Sequence, residues 1–278
     1  MNPKRPLAGK LPSSVRDSLT GRVGSPLPPD LHPPADGVIE IETYAVCNRR
    51  CSYCPNASSR RPADRMEEWL FKKIIAELAE FHCRGCLSYH FYGEPLLDRR
   101  LPHWVKHAKT ILPDCKNLIY SNGDFLTVEI FRAYLASGLD AFLVTQHDNR
   151  LSPQLRDLLT RLSWDELKHI RIRYAKNMPL WNRAGSVAGA GVVDTPLTVP
   201  CDWSLSGFII TAKGNVLPCC NDYFEREVFG NCQVDSLVDI WRSERFRKFR
   251  TELAAGNRML SPLCAQCNYV PKSLRTSA

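Results

Sequence analysis

The stretch Cys47-Asn-Arg-Arg-Cys51-Ser-Tyr53-Cys54 spaces three cysteines as C-x3-C-x2-C. Just upstream, Val38-Ile-Glu40-Ile-Glu42-Thr-Tyr44 alternates apolar and polar residues with the period of two that a β-strand imposes. The triplet therefore lies on a loop leaving the C-terminal end of a strand. Three thiolates on one loop can hold three corners of a four-iron cluster and leave the fourth iron open. A zinc knuckle competes with this reading. Zinc ligands usually come as two C-x2-C or Cys/His pairs that close a tetrahedron, and a triplet fits that poorly.

An open, low-potential iron can bind the amino and carboxylate groups of S-adenosylmethionine (SAM) and pass one electron to its sulfonium, releasing a 5′-deoxyadenosyl radical. The spacing, with Tyr53 inside it, resembles the signature of the radical SAM superfamily. Leu87-Ser-Tyr-His-Phe-Tyr92 reads as a further strand and runs into Gly93-Glu94-Pro95, where the family binds the SAM amino group. Glycine and proline there force a tight turn whose exposed carbonyls suit an ammonium donor. Strands over 117–120 and 141–144 end in Ser121-Asn122-Gly123-Asp124 and Thr145-Gln146-His147. Ser121, Asn122 and Gln146 are expected near the ribose and adenine, with turn chemistry and helix capping as the alternative.

Strand and helix patterns alternate through this region. Phe71, Ile74, Ile75, Leu78 and Phe81 form one face of a helix expected over 66–81, and another is expected over 127–136. Repeated βα units give a parallel sheet, and the fold expected is α/β: a partial (βα) barrel of the radical SAM type with a small C-terminal α+β auxiliary iron–sulfur domain.

Composition agrees with a metalloenzyme. Of 278 residues, 44% are apolar and 24% charged, ordinary values for a folded chain, and no run approaches the ~18 apolar residues of a membrane helix. Twelve cysteines and no apolar h-region in residues 1–37 point to metal ligation in the cytoplasm rather than to disulfides. Eight of the twenty prolines fall in that segment, so residues 1–36 are expected to be a Pro-rich tail. The net charge of +8 is scattered over helix faces such as 242–250, which argues against nucleic acid as a partner.

The pattern changes near Pro200, dividing the chain into a barrel over 37–195 and an auxiliary domain over 196–278. Cys201 precedes a hairpin, 207–211 and 215–217 joined through Lys213-Gly214, which delivers Cys219 and Cys220; Cys264-Ala-Gln-Cys267 comes after it. Four thiolates from these places suffice for a second cluster with every iron occupied by protein. A four-cysteine zinc site has the same ligand needs.

His90-Phe-Tyr-Gly-Glu-Pro-Leu-Leu97, Ile119-Tyr-Ser-Asn-Gly-Asp-Phe-Leu126, Val144-Thr-Gln-His147 and Gly214-Asn-Val-Leu-Pro-Cys219 narrow the resemblance. Together they resemble the radical SAM enzymes of aminoglycoside biosynthesis that carry a shortened, twitch-type auxiliary domain. The resemblance implies two [4Fe-4S] clusters and SAM, with Cys47, Cys51 and Cys54 on the first cluster and Cys201, Cys219, Cys264 and Cys267 on the second. It implies an aminoglycoside substrate and an external reductant of flavodoxin or ferredoxin type. It also places Arg183, in Asn182-Arg183, against a carboxylate or a substrate hydroxyl.

The group contains both epimerases and dehydrogenases. Cys232, after Gly230-Asn231, departs from the dehydrogenase pattern, and a thiol is the hydrogen donor an epimerase needs. The chain is therefore expected to be an epimerase of the neomycin C type, Cys232 returning hydrogen to the substrate. The alternative is an alcohol dehydrogenase of the 2-deoxy-scyllo-inosamine type. Because an aminoglycoside is polycationic, Glu42, Asp148, Asp222 and Glu225 are expected to line the pocket. Cys83, Cys86, Cys115 and Cys220 are expected to be bystanders.

Overall fold

The computed structural model describes residues 36–187, 190–191, 193–271 and 274; the proline-rich tail expected over 1–36 falls, apart from Asp36, outside them. Seven strands form one sheet in the order β5-β4-β3-β2-β1-β6-β7. They are β1 (Val38–Ile41), β2 (Cys86–Ser88), β3 (Lys116–Ser121), β4 (Ala141–Gln146), β5 (Ile170–Tyr174), β6 (Gly207–Ile210) and β7 (Val216–Leu217). All neighbours are parallel except β6 and β7, which form the antiparallel hairpin expected around Gly214.

The helix expected over 66–81 forms as Glu68–Glu80, and its Phe71, Ile74, Ile75 and Leu78 are buried against the sheet. Helix Val128–Ala136 follows Thr127, whose hydroxyl accepts the Ile130 N–H at 3.2 Å. Helices Leu101–Ile111 and Pro153–Arg161 are not among the expected elements, although Leu101, Trp104, Val105 and Ala108 have helical spacing and are buried. Trp104 stacks on Phe71 with ring centroids 4.6 Å apart and ties two of these helices together.

The sheet's two faces differ. Ile39, Ile41, Leu87, Ile119, Phe142, Phe208 and Ile210 face the helices and belong to the main core. On the other face Cys86, Leu118, Ala141 and Leu143, with Val38 and Tyr120 against them, make a small apolar floor. Beyond that floor, toward the strands' C-terminal ends, the inner face turns polar with Glu40, Ser88 and His90. β2 is shorter than the six residues expected because the chain leaves the sheet after Ser88 and carries His90 and Tyr92 toward that end.

The expected boundary at 195/196 does not interrupt the sheet. β6 pairs in parallel with β1 through four register positions, Val38 opposite Gly207 and Ile41 opposite Ile210. The auxiliary hairpin is thus an extension of the barrel sheet. Only glycine is tolerated at the seam, since a Cβ on residue 207 would stand 1.8 Å from the Val38 carbonyl oxygen. Among the described residues, no helix is long and apolar enough to cross a membrane.

Gly207→Ala must push β6 away from β1. We expect the thermal midpoint of the cluster-loaded protein to fall by roughly 5–10 °C, with iron lost first from the auxiliary site, as read by calorimetry and iron analysis.

Candidate active site at the strand ends

Cys47 follows β1 as its loop turns back, and its Sγ accepts the Arg49 N–H at 3.4 Å. Cys54 N–H bonds the Cys51 carbonyl at 2.9 Å, and Pro55 at the start of a short 3-10 helix keeps the turn tight. Cys47, Cys51 and Cys54 are half-buried free thiols. Burial pushes all three pKa values up, and each thiol lies in the electrostatic field of another: Cys47 of Cys51, Cys51 of Cys54, Cys54 of Cys47. Three mutually close thiols that resist ionisation alone are suited to a cationic iron core, which would take them as thiolates.

The loops after β1, β3 and β4 are clamped together. Arg49 grips Asp124 through Nε and NH2, both at 2.6 Å, and reaches Asp148 at 3.0 Å. Asn48 Nδ2 donates to Asp124 at 2.8 Å, and Asn122 Nδ2 to Asn48 Oδ1 at 2.8 Å. The Tyr53 hydroxyl meets His147 Nδ1.

The expected SAM-binding residues gather at this end. Glu94 accepts from Ser121 Oγ (2.7 Å), Leu96 N–H (3.2 Å) and Asn122 N–H (2.9 Å), so its carboxylate braces β2 against β3. Gln146 Oε1 accepts the Ser152 N–H at 2.8 Å, and its Nε2 donates to the Asn122 carbonyl at 3.4 Å. Pro95 opens the short helix that comes next. Gly93 admits no side chain, because a Cβ there would lie 2.0 Å from the Tyr44 carbonyl oxygen.

The second set of thiols is equally well gathered. Cys201, Cys219, Cys264 and Cys267 line one cavity with Trp203, Phe249, Tyr269 and Arg258. Burial pushes Cys201 up to about 11 and raises Cys219 and Cys264 as well. Arg258, held by the carbonyls of Val199, Pro200 and Tyr269, opposes that rise at Cys201 and Cys264. Among the described residues, no group of His, Cys, Asp and Glu is drawn together tightly enough to hold a single ion. Four thiols standing around a cavity fit a multi-iron core better than a zinc ion, whose sulfurs lie about 2.3 Å from one point.

Between the two sets stand buried polar side chains that wall the candidate chamber. Burial raises the Tyr92 pKa, with Cys220, Cys54 and Cys219 adding to it, and its hydroxyl donates to the Cys220 carbonyl at 2.7 Å. Arg183 lies over Tyr92, 5.9 Å from the ring centroid, and its NH1 donates to Cys220 Sγ (3.7 Å) and Asn221 Oδ1 (3.2 Å). Asn221 Nδ2 in turn donates to Cys267 Sγ at 3.6 Å, so Arg183 is two hydrogen bonds from an auxiliary thiol. Arg183 and Ala184 both have left-handed backbones, φ 49° and 51°, a strain on the order of 1 kcal/mol each that the surrounding packing sustains.

His90 stacks on Tyr120 at 4.6 Å, and Arg173 covers the other part of that ring at 5.2 Å. Burial, with Arg173 and Arg183 adding to it, lowers the His90 pKa to about 3, so the imidazole is neutral at working pH. Glu40 completes the wall from β1. Burial raises its pKa to about 8 against the lowering effect of Arg183.

Sequence reasoning missed Glu40, His90, Tyr92, Tyr120, Arg173, Cys220 and Asn221 as wall residues. A glutamate in the middle of a buried strand is the one signal that could have found them. The four carboxylates expected in the pocket are occupied elsewhere: Glu42 and Glu225 hold Arg61 at 2.5 and 2.6 Å, Asp148 holds Arg49, and Asp222 accepts the Arg226 and Glu227 N–H groups. Cys220 is a wall residue rather than a bystander. Cys83 and Cys115 pack together at the opposite end of the sheet, sulfurs 3.5 Å apart.

The chain matches the Radical SAM superfamily over residues 41–178 and an iron–sulfur cluster-binding domain, SPASM, over residues 201–268. Over 237 residues it is 33% identical to the S-adenosyl-L-methionine-dependent 2-deoxy-scyllo-inosamine dehydrogenase of Niallia circulans, covering 84% of this chain and 93% of that protein. The structure of BtrN in complex with AdoMet and 2-DOIA superposes with a TM-score of 0.79 at 32% identity, over 86% of this chain and 95% of that one. SeMet BtrN in an open conformation gives 0.67 at 30% identity, over 84% and 93%.

These likenesses overturn the expected epimerase, because the similar enzyme is a dehydrogenase. The position of Cys232 agrees with that correction. Cys232 is wholly buried in the main core, bonded through its N–H to the Gly214 carbonyl, and lies near Lys73 and Glu77 of helix Glu68–Glu80, on the side of the sheet away from the chamber. Burial pushes its thiol up to about 12.

The carboxylates of the site give two expected outcomes. Glu94→Gln sets an amide NH2 against groups that donate, and SAM affinity is expected to drop about tenfold or more in equilibrium binding. Glu40 has the opposite sign from a salt-bridged acid. A carboxyl raised in the folded state favours folding fully below its unfolded pKa near 4.5, and that contribution is lost as pH rises toward about 8. Relative to Glu40→Gln, the wild-type protein is therefore expected to lose thermal stability between pH 5 and pH 8.

Proposed function

The chain belongs to the radical SAM superfamily and carries a SPASM-type iron–sulfur domain, so SAM and iron–sulfur clusters are its cofactors, and on that premise we propose that it oxidises a secondary alcohol of an aminocyclitol to the ketone. The substrate class is that of 2-deoxy-scyllo-inosamine, the compound named for the similar enzyme. The observation that carries this reading is the place of Tyr92, which lies in the field of Cys54 from the first set and of Cys219 from the second and has Arg183 over its ring. A dehydrogenation removes a hydrogen atom, an electron and a proton, and a substrate between the two sets is within reach of both redox centres.

When bound, SAM and the first [4Fe-4S] cluster supply hydrogen-atom abstraction, and the second cluster accepts one electron. The protein's part is to hold and to orient. Cys47, Cys51 and Cys54 hold the first cluster, and Cys201, Cys219, Cys264 and Cys267 the second. Tyr53, Gly93, Glu94, Pro95, Ser121, Asn122 and Gln146 form the ledge for SAM. Burial works against the charge of Arg183, but Tyr92, Cys220, Cys54 and Glu40 outweigh it and keep the guanidinium charged. It is placed to donate to a substrate hydroxyl and polarise it. Neutral His90 offers a hydrogen-bonding edge without a charge, and the apolar floor of Leu118, Ala141 and Leu143 keeps water from entering below. An external one-electron donor of the flavodoxin or ferredoxin class supplies the reducing electron, in the cytoplasm.

The test is anaerobic turnover of the reduced, reconstituted enzyme with SAM and an aminocyclitol, read by mass spectrometry. The expected product is 2 Da lighter, formed with 5′-deoxyadenosine. Cys232→Ala is expected to form the same ketone. An isomer of unchanged connectivity, carrying one deuterium from D2O, would refute the oxidation.

A further inference from the structure

Glu40 is the chamber carboxylate left with an unpartnered oxygen. It lies on the inner face of β1, only 7% exposed, and its Oε2 is buried with no hydrogen bond among the described residues. Arg183, the cation whose field reaches it, directs NH1 to Cys220 and Asn221 instead. By contrast, Glu42, Glu94, Asp98, Asp124, Asp222 and Glu225 all accept hydrogen bonds from protein donors.

A buried carboxylate with an unfilled oxygen is costly, and a valine or isoleucine in the middle of a parallel strand would fold at least as well. The unfilled acceptor fits a guest that brings its own positive charge and N–H donors. Such a guest also reverses the effect of burial on the carboxyl, since an opposite charge nearby favours ionisation.

We propose that Glu40 is the residue that selects the amine of the substrate, its carboxylate receiving the ammonium group of the aminocyclitol. This rests on the reading of the reaction given above and specifies how that reaction chooses its substrate. Two cations share these surroundings: Arg173 covers the Tyr120 ring at 5.2 Å, Tyr120 lies in the field of both Arg173 and Glu40, and Arg183 and Glu40 lie in each other's field. The two guanidiniums repel an ammonium and attract hydroxyls, so a ring with one amine has one favoured orientation. A second amine would have to face an arginine. The chamber therefore suits a monoamino cyclitol and disfavours a diamino cyclitol or a polycationic aminoglycoside.

The test compares kcat/KM for three rings: a monoamino cyclitol, the same ring with hydroxyl in place of the amine, and a diamino cyclitol. The wild-type holoenzyme is expected to prefer the monoamine over each of the others by about tenfold or more. In Glu40→Gln, checked for wild-type iron content and SAM binding, the preference over the hydroxyl ring is expected to collapse to within about threefold of unity, chiefly through KM. Glu40→Asp keeps the charge and is expected to keep the preference. Equal use of amine and hydroxyl by the wild type, or an undiminished preference in a correctly loaded Glu40→Gln, overturns the assignment while leaving the oxidation standing. Release of 5′-deoxyadenosine with no ring oxidised removes the reaction reading and the Glu40 assignment together.

Discussion

Parallel pairing between β1 and β6 is the contact on which the rest of the molecule depends. β1 delivers Cys47, Cys51 and Cys54 from its C-terminal end, and β6 leads through its hairpin to Cys219 and Cys220. Because the two strands are neighbours in one sheet, separated by a single strand spacing of about 4.8 Å, the segments carrying the two thiol sets are tied to one continuous sheet rather than to separate lobes. Latches reinforce the seam: the Tyr223 hydroxyl contacts Asn56 Oδ1 and the Ser59 carbonyl, both at 2.9 Å, and Arg61 bridges Glu42 and Glu225.

Electrostatics divide the polar residues into two classes. Those in the loops after β1, β2 and β3 are satisfied by one another, as in the Arg49–Asp124 and Glu94–Ser121–Asn122 groups. Such mutual satisfaction makes loops rigid and costs little. Within the chamber the pattern reverses, with Glu40 unfilled and His90 unable to hold a proton near neutrality. Groups destabilised in the empty protein are those that a bound guest stabilises, and their clustering marks the site as strongly as the cysteines do.

The two additional cysteines of the auxiliary region show why a residue's chemistry cannot be assigned without its surroundings. Cys232 and Cys220 are both thiols in the segment between Cys201 and Cys264. The chain turns Cys232 outward against helix Glu68–Glu80, where it fills space, and turns Cys220 inward toward Arg183. A cysteine in the turn after Gly230-Asn231 suggests a hydrogen donor; the direction of one hairpin removes that role.

By itself the sequence determined the features set by local spacing. The C-x3-C-x2-C loop, the period-two strands ending in turn residues, the apolar stripe of helix Glu68–Glu80 and the Gly214 hairpin are each written within about 20 consecutive residues, because strand alternation, helix periodicity and loop geometry are short-range properties. Tertiary structure alone decided which carboxylates are free, which cysteine faces the chamber and that the auxiliary hairpin shares the barrel's sheet. Glu40 and Glu42 illustrate the difference. They alternate identically in sequence, yet Glu42 meets Arg61, nineteen residues away, while Glu40 meets no donor at Oε2 among the described residues. Whether a buried charge is neutralised depends on partners brought by distant segments, and no local pattern records them.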